Sequence, residues 1–438
     1  MRFLGVPMKN TRAIALLFAA NSISGASQGI LLIAVPWYFA SILGRPGLFG
    51  AIYMAINIVS LFWGVYAGAL VDRYDRRRIF LMASLLGALV SGSMAAVGFA
   101  LGTVPIWAAA AAFSTTILIF NIHYPNLYAF GQEITPPEHY GRITSYLEVQ
   151  GQLTNAFAGA IGALLLEGMN FSLSGLPGFL GGWFAPGARL HIEAWSLQKV
   201  LLLDGITYLI SFALLLFMRY QRVAERKITP GTVWARMRGG LAWLKQHPAV
   251  LVFGSASYAI FVTILVTTFY LQAVYVEYHL EASVSVYAWS EVAFSLGSVF
   301  AGLLIVRLFG SMRRARAIGI LSLVAASFFI IGMFNHWLPL FYATFLLLGT
   351  SNAGTRILRV TWLFNHVPND TIGRVGGVFN SFNVLVRIAF LGLFALPFFA
   401  GEGVIWAFFL QALLILGGAA VLLWNERRTP PVQGKNEP

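Results

Sequence analysis

Two long apolar runs separated by a short, strongly charged turn constrain this chain more than any other feature. The runs cover residues 49–71 and 79–101. Each is long enough to cross a hydrocarbon core of roughly 30 Å as an α-helix, which rises about 1.5 Å per residue. The pattern therefore predicts two antiparallel membrane helices joined by a tight turn.

Apolar runs of this kind recur along the whole chain and predict twelve spans, with ends uncertain by a few residues. Hydrophobic residues make up 58% of the 438 residues and charged residues only 10%, a balance that soluble domains do not have. The chain is therefore predicted to be an all-α integral membrane protein. The spans cover residues 13–42, 49–71, 79–101, 104–131, 143–168, 199–219, 249–276, 284–309, 317–335, 338–364, 375–400 and 402–424.

The basic residues predict the orientation of these spans. An even number of spans puts both termini on one side, and the loops on that side hold most of the lysines and arginines, whereas the other side holds Arg45, Arg189 and Lys199. Basic loops face the cytoplasm, so both termini are predicted to be cytoplasmic in an inner membrane. The net charge of +13 then reflects orientation and not a nucleic-acid partner. The chain has no cysteine, which excludes a disulfide framework and thiolate sites, and we expect no cofactor and no metal.

The charged turn carries an ordered signature. Gly68, Asp72, Arg73, Arg76 and Arg77 resemble the loop signature of the major facilitator superfamily, except that Asp75 stands where a second glycine is usual. The resemblance implies that Asp72 lies near a helix N-terminus and helps to latch the cytoplasmic side shut. A carboxylate is favoured at the positive end of a helix dipole, where neighbouring arginines can hold it.

The two halves of the sequence repeat. Glu138 to Arg142 (EHYGR) opens the fifth span, and Asp370 to Arg374 (DTIGR) opens the eleventh. These turns add Gly141, Arg142, Gly373 and Arg374 to the predicted latch residues. Repeated six-helix halves with a substrate site between them near the midplane are typical of the superfamily. We predict a six-helix bundle over 1–220, a cytoplasmic linker over 221–248, a second bundle over 249–426 and a tail over 427–438.

The linker narrows the resemblance. Residues 240–248, GLAWLKQHP, and the two acid-x-x-Gly-Arg turns are similar to the branch that includes macrolide efflux proteins and the enterobactin exporter. The resemblance implies export by alternating access, usually driven by proton entry. We expect an exporter of an amphipathic small molecule; the alternative is a siderophore exporter or a lysolipid flippase, which would need arginines of the second half to bind an anionic group.

Charged residues within spans are expensive in a bilayer and are therefore functional candidates. Glu148, Arg356 and Arg359 lie at similar depths and are predicted to meet at an inner gate. Glu291 falls in the outer half of its span and Arg387 near the middle of its own, and their long side chains are predicted to form a titratable pair. A static ion pair or a side chain that reaches the interface is the alternative for each.

Other polar residues have more ordinary interpretations. His123 in the fourth span titrates in a useful range, but a lone histidine is more often a hydrogen-bonded core residue. Asp204 and Glu167 lie close to the outer interface and are expected to reach water.

Two stretches interrupt the short loops. Residues 169–198 lie outside and form a lid, an interfacial segment or a loose insertion, of which the last is the simplest. Residues 221–247 join the halves inside, where Trp234, Met237, Leu241 and Leu244 share one helical face. That face predicts a helix along the membrane surface.

An enzyme is the competing class of function. Residues 25–29, GASQG, match the nucleophile-elbow pattern, but that motif needs a strand-to-helix turn, and here it falls within the first span. We interpret it as helix packing. The sequence contains no metalloprotease, phosphate-loop or dinucleotide signature, so no catalytic residue is assigned.

Overall fold

The computed structural model describes residues 2–3, 6–7, 10–136, 139–172, 189–221, 233–368 and 371–428. It does not describe the side chains of Asp72 and several neighbours, so the predicted latch role of Gly68 and Asp72, and that of Gly141, lies outside the described residues. The predicted tail from residue 429 onward, most of the 169–198 insertion and residues 222–232 of the linker also lie outside them.

The first half of the chain forms six long helices, as predicted. A two-residue strand pair, β1 (Arg2–Phe3) with β2 (Val6–Pro7), precedes them. Antiparallel strands β3 (Met169–Ser172) and β4 (Arg189–Ile192) follow the fifth helix, so the insertion begins and ends in a paired ladder. The helices are α1 (Thr11–Trp37), which continues as a π-helix over Tyr38–Ile42, α2 (Pro46–Arg73), α3 (Arg76–Leu101), α4 (Ile106–Glu133), α5 (Tyr140–Glu167) and α6 (Leu197–Leu216).

The second half repeats the arrangement after a linker helix. Its first span is a chain of short helices interrupted by a π-helix over Thr267–Leu271, the counterpart of the π-helix that ends α1. The elements are the linker helix α7 (Val233–Gln246), then α8 (Pro248–Ser257), α9 (Ala259–Val266), α10 (Gln272–Tyr278), α11 (Val284–Phe309), α12 (Arg314–Gly332), α13 (Leu338–His366), α14 (Ile372–Phe394) and α15 (Val404–Arg428).

Within the described chain, ten helical segments are long and apolar enough to cross a membrane. Two further helices, α5 with 28 residues and α13 with 29, are also long enough to cross a membrane. They are less apolar than the ten segments because they contain Glu148, Arg356, Arg359 and polar neighbours of these residues. Together they give the twelve crossings and the all-α membrane fold expected from the sequence. The least apolar crossings are therefore the ones that carry the predicted inner gate.

The two halves meet along two pairs of helices, α2 with α14 and α5 with α11. We call the end of the molecule that carries the α2–α3 turn the basic end. At the opposite end the contact between halves is close: the hydroxyl of Tyr278 donates to the carbonyl of Ala40 over 3.0 Å, and a Cβ on Gly159 would lie 2.7 Å from the carbonyl oxygen of Ala288. Only a residue without a side chain lets α5 approach α11 this closely.

The linker helix α7 lies beneath the second half. Leu244 is fully buried with Val250 and Val375, and Gly240 lies against the backbone of Arg374 at the start of α14. Trp234 and Leu241, predicted to share the face of Leu244, remain exposed, with 61% and 43% of their surface accessible. The apolar face therefore divides between the protein and the surroundings, which suits a helix at a membrane surface.

Candidate functional site

The basic turn is built from helix caps. Asp75 is the N-cap residue of α3, with φ −60° and ψ 124°, and its carboxylate accepts the backbone N–H of Arg78 over 3.0 Å. Its other carboxylate oxygen accepts the hydroxyl of Tyr220 over 3.0 Å. This conformation needs no positive φ, so aspartate replaces the usual glycine without strain and adds a capping bond.

Two arginines of the turn hold neighbouring helices of the same half. Arg76 donates to the carbonyl of Ala129 over 2.6 Å and pairs with Glu133 over 2.9 Å, at the end of α4. Arg77 donates to the carbonyls of Leu215 and Leu216 at the end of α6. Cations are favoured at helix C-termini, so these side chains fix three helices of the first half at the basic end.

The remaining predicted latch residues lie apart from these arginines. Arg73 ends α2 and is exposed, with its guanidinium 6.0 Å from the ring of Tyr74. Arg142 donates to the hydroxyl of Tyr146 on its own helix over 2.8 Å. Gly373 is exposed at the start of α14, and Arg374, which follows it, lies against Gly239 and Gly240 of the linker helix. Whether these residues latch the basic end stays a prediction.

An ion pair crosses from one half to the other in α5 and α13. The guanidinium of Arg356 donates to Glu148 over 2.7 Å, and the second carboxylate oxygen of Glu148 accepts the hydroxyl of Tyr128 over 2.6 Å. Glu148 and Arg356 keep 36% and 42% of their side-chain surface accessible. Counting along the helices puts the pair about 12–15 Å from the basic end, so it bridges the two halves within their membrane-spanning helices.

Arg359 does not share in this pair. It is buried, donates to the carbonyl of Ser257 over 2.9 Å and lies over the ring of Tyr258 at 3.8 Å. A cation over an aromatic face is stabilised electrostatically, more so when it is shielded from water. The prediction that Arg359 also belongs to the gate is therefore wrong for this conformation, because its side chain points into the second half.

His123 belongs to a buried polar chain in the first half. Its Nε2 lies 2.7 Å from Oδ1 of Asn21, whose amide donates to Oε1 of Gln150 over 2.6 Å. Since Oδ1 can only accept, the Nε2 of His123 carries the hydrogen. The amide of Gln150 in turn donates to the hydroxyls of Ser22 and Thr154. These bonds fit the interpretation of His123 as a hydrogen-bonded core residue.

Glu291 and Arg387 do not form the predicted pair. Each lies about seven residues, or about 10 Å, from the opposite end. However, the carboxylate of Glu291 is turned toward Gln272, and one of its oxygens is buried with no hydrogen-bond partner among the described residues. Arg387 lies instead near the hydroxyl of Tyr53 in α2, with which it interacts electrostatically across the interface between halves. The sequence placed Arg387 near the middle of its span, but the helix ends at Phe394, so the two residues lie at equal depth. The directions of their side chains nevertheless keep them apart.

Asp204 corrects another expectation. The carboxylate does not reach water: it is fully buried between α1, α3 and α6, and it accepts the hydroxyls of Ser27 over 3.2 Å and Ser91 over 2.6 Å. Ser27 is the central residue of the nucleophile-elbow pattern. It lies inside α1 and bonds an aspartate, so the pattern is helix packing here, as the sequence indicated.

A family model described as "Major Facilitator Superfamily" matches residues 17–391. The chain belongs to the Major Facilitator Superfamily. The match covers both halves, and it agrees with the basic turn and with the repeated acid-x-x-Gly-Arg turns. Members of this superfamily are membrane transporters, and nothing in the comparisons points to catalysis.

Named relatives within the superfamily are distant. The chain is 21% identical to macrolide efflux protein A of Streptococcus pyogenes over 333 residues, which are 72% of this chain and 70% of that protein. It is 22% identical to macrolide efflux protein A of Enterococcus faecalis over 281 residues, 62% of this chain and 74% of that one.

Solved structures share the fold at still lower identity. A bacterial homologue of the lysosomal transporter Spinster, described as inward-facing and unoccupied, superimposes with a TM-score of 0.67 at 14% identity, covering 95% of this chain and 97% of that one. A bacterial homologue of the iron transporter ferroportin, in an inward-facing state, gives 0.68 at 12% identity over 94% and 98%. The family and the fold are thus established from independent comparisons.

Sequence reasoning missed three residues that the superfamily fold brings to the contact between halves. Tyr128 donates a hydrogen bond to Glu148, and the hydroxyl of Tyr53 lies near Arg387. Glu167 accepts hydrogen bonds from the start of α11. The charged candidates were found in the sequence because a charge within a span is costly. The tyrosines carry no charge, so this criterion did not select them. The position of Glu167 at the end of a predicted span was visible, but its partner lies 116 residues away.

Proposed function

We propose that this chain is a secondary transporter of the cytoplasmic membrane that exports an amphipathic small molecule in exchange for protons, by alternating access. In this proposal the basic end faces the cytoplasm, because basic loops are retained there. The transported molecule binds between the halves, near the Glu148–Arg356 pair.

The observation that carries the proposal is the uneven contact between the halves. At the opposite end α5 and α11 approach backbone to backbone at Gly159, whereas Glu148 and Arg356, nearer the basic end, meet only through accessible side chains. An interface that is tight at one end and bridged by a water-exposed ion pair toward the other can rock between two arrangements. That property is what alternating access requires.

Export of an amphipathic compound is supported by the relatives, which are named as macrolide efflux proteins. The alternative, an anionic siderophore or lysolipid, needs a free arginine in the second half. Arg356 is paired with Glu148, and Arg359 is buried against Tyr258. The engagement of these two arginines favours the first candidate, and the alternative then depends on Arg387, whose buried Nε has no hydrogen-bond partner among the described residues.

Glu291 is the carboxylate that we propose to carry the proton. A partner-free carboxylate oxygen buried from water is costly when it is charged, so the acid gains from taking up a proton. Gln272 lies beside it, and Tyr287 lies close enough to act on both Glu291 and Tyr53. In this proposal Tyr287 and Tyr53 lie between Glu291 and Arg387 and connect them in place of a direct ion pair.

Proteoliposomes test the proposal. Purified protein should accumulate one or more compounds of a panel that includes macrolides and other amphipathic molecules, and the accumulation should require a pH gradient. Collapse of the gradient with a protonophore is the control. Accumulation that is indifferent to the gradient contradicts proton exchange, and turnover of a compound by detergent-solubilised protein would point to an enzyme instead.

A further inference from the structure

A carboxylate of the first half caps a helix of the second half at the opposite end. Glu167 is the last residue of α5, and its Oε2 accepts the hydroxyl of Ser283 over 2.8 Å and the backbone N–H of Ser285 over 3.1 Å. Ser283 is the N-cap residue of α11 and Ser285 lies in its first turn. The negative charge therefore lies where helix N–H groups lack partners.

The helix does not cap itself while this contact exists. Serine is among the best N-cap residues, yet within the described chain the hydroxyl of Ser283 makes no capping bond to α11. It is turned to Glu167 and to the hydroxyl of Ser285, 2.9 Å away. When the halves separate, Ser283 is free to cap its own helix, so the loss of Glu167 is partly compensated.

The surroundings fix the position of Glu167. Gly168 follows it with φ +76°, a left-handed conformation that glycine adopts without strain, and a Cβ there would lie 2.6 Å from the carbonyl oxygen of Ile192. The strands β3 and β4 pair directly beyond, and the N–H of Trp195 donates to the carbonyl of Leu165 over 2.7 Å. The carboxylate is thus held at the end of a braced helix.

The same helix pair forms a close backbone contact between the halves. Gly159, two turns before Glu167, lies against the carbonyl of Ala288 and the side chain of Val292 on α11. Any motion that opens the opposite end between these helices must pull Glu167 from Ser283 and Ser285. The contact is therefore specific to the conformation closed at that end.

We propose that Glu167 is a positioning residue that latches the opposite end shut by capping α11 from the other half. The proposal rests on the proposed function only in assuming alternating access. A carboxylate at a helix N-terminus should favour the closed conformation by about two- to fivefold, the range expected for an exposed charge–dipole contact. Because Ser283 can replace it, the latch biases the equilibrium and does not lock it.

The test measures opening of the α5–α11 contact without any substrate. Val292→Cys introduces the one thiol in a chain that has no cysteine, and this partly buried residue lies against Gly159 while the contact is closed. In nanodiscs, the rate of maleimide labelling at this thiol should report the open fraction. We expect Glu167→Gln to raise that rate about two- to fivefold, and Glu167→Asp to raise it less.

Glu402→Gln is the matched control, because Glu402 is exposed at the same end and its replacement makes the same change of charge. It should leave the rate unchanged. An unchanged rate in Glu167→Gln, or an equal rise in Glu402→Gln, overturns the latch. Gel filtration and a melting curve show whether each variant is folded, and Glu167→Ala should reproduce the rise if Glu167→Gln proves unstable. Since no compound or gradient is used, a failed transport assay leaves this result intact.

Discussion

The Glu148–Arg356 pair gives the sharpest test of how the halves are coupled. We expect Glu148→Gln and Arg356→Gln each to slow transport and to widen the gap between α5 and α13, because each removes the ion pair that bridges them. The double variant should be no worse than either single variant. The two effects are therefore expected to be strongly non-additive.

The geometry sets the magnitude. Two unit charges about 4 Å apart attract by roughly 1 kcal/mol in water and by roughly 4 kcal/mol near a protein surface. Both side chains are more than one-third accessible, at 36% and 42%, so screening by water brings the value toward the lower figure. A coupling energy of about 1 kcal/mol, or about fivefold in an equilibrium constant, is expected.

The assay is a double-mutant cycle on transport rates in proteoliposomes, with spin labels on α5 and α13 reporting the gap. Arg359 provides the control: its contacts are Ser257 and Tyr258, so Arg359→Gln combined with Glu148→Gln should be additive within about 0.5 kcal/mol. Additive effects of Glu148→Gln and Arg356→Gln, or an unchanged gap, would refute the reasoning.

Three further predictions concern other charged groups. Asp72→Asn should impair transport while expression and melting temperature stay close to wild type, because the charge of Asp72 is expected to stabilise one conformation by about 0.3–2 kcal/mol. Accessibility labelling at the basic end measures the balance between inward-facing and outward-facing conformations. A normal balance with normal transport contradicts the prediction. Glu291→Gln should abolish accumulation driven by a pH gradient but allow downhill movement, because glutamine mimics a protonated acid; full gradient-driven accumulation by this variant rejects the role. Burial, together with the neighbouring charge of His336, lowers the pKa of His279. The neutral form of His279 therefore stabilises the fold at pH values above about 6.5, the pKa of histidine in the unfolded chain, and stability should fall as the pH drops below that pKa. In melting curves, His279→Gln should lose this part of the pH dependence of stability. An identical pH dependence in the variant would contradict the prediction.

The depth of Glu148 and Arg356 could be predicted from the sequence, whereas the direction of each charged side chain could not. Counting residues along a helix puts Glu148 at nearly the same depth as Arg356, because the rise per residue is constant. Arg356 and Arg359 lie only three residues apart, yet the first faces Glu148 of the other half and the second faces Tyr258 of its own half. The rotation of a helix about its axis depends on how its neighbours pack, and no local pattern in a mostly apolar span encodes it.

The sequence by itself determined the twelve crossings, the superfamily and the linker helix, because apolar length and turn chemistry are local properties. It also carried the aspartate that replaces a glycine in the basic turn. Only the tertiary structure decided that Asp204 is buried among serines and that Glu167 caps α11 from the other half. These contacts join residues on different helices, and their energies depend on distances that arise only when the helices pack.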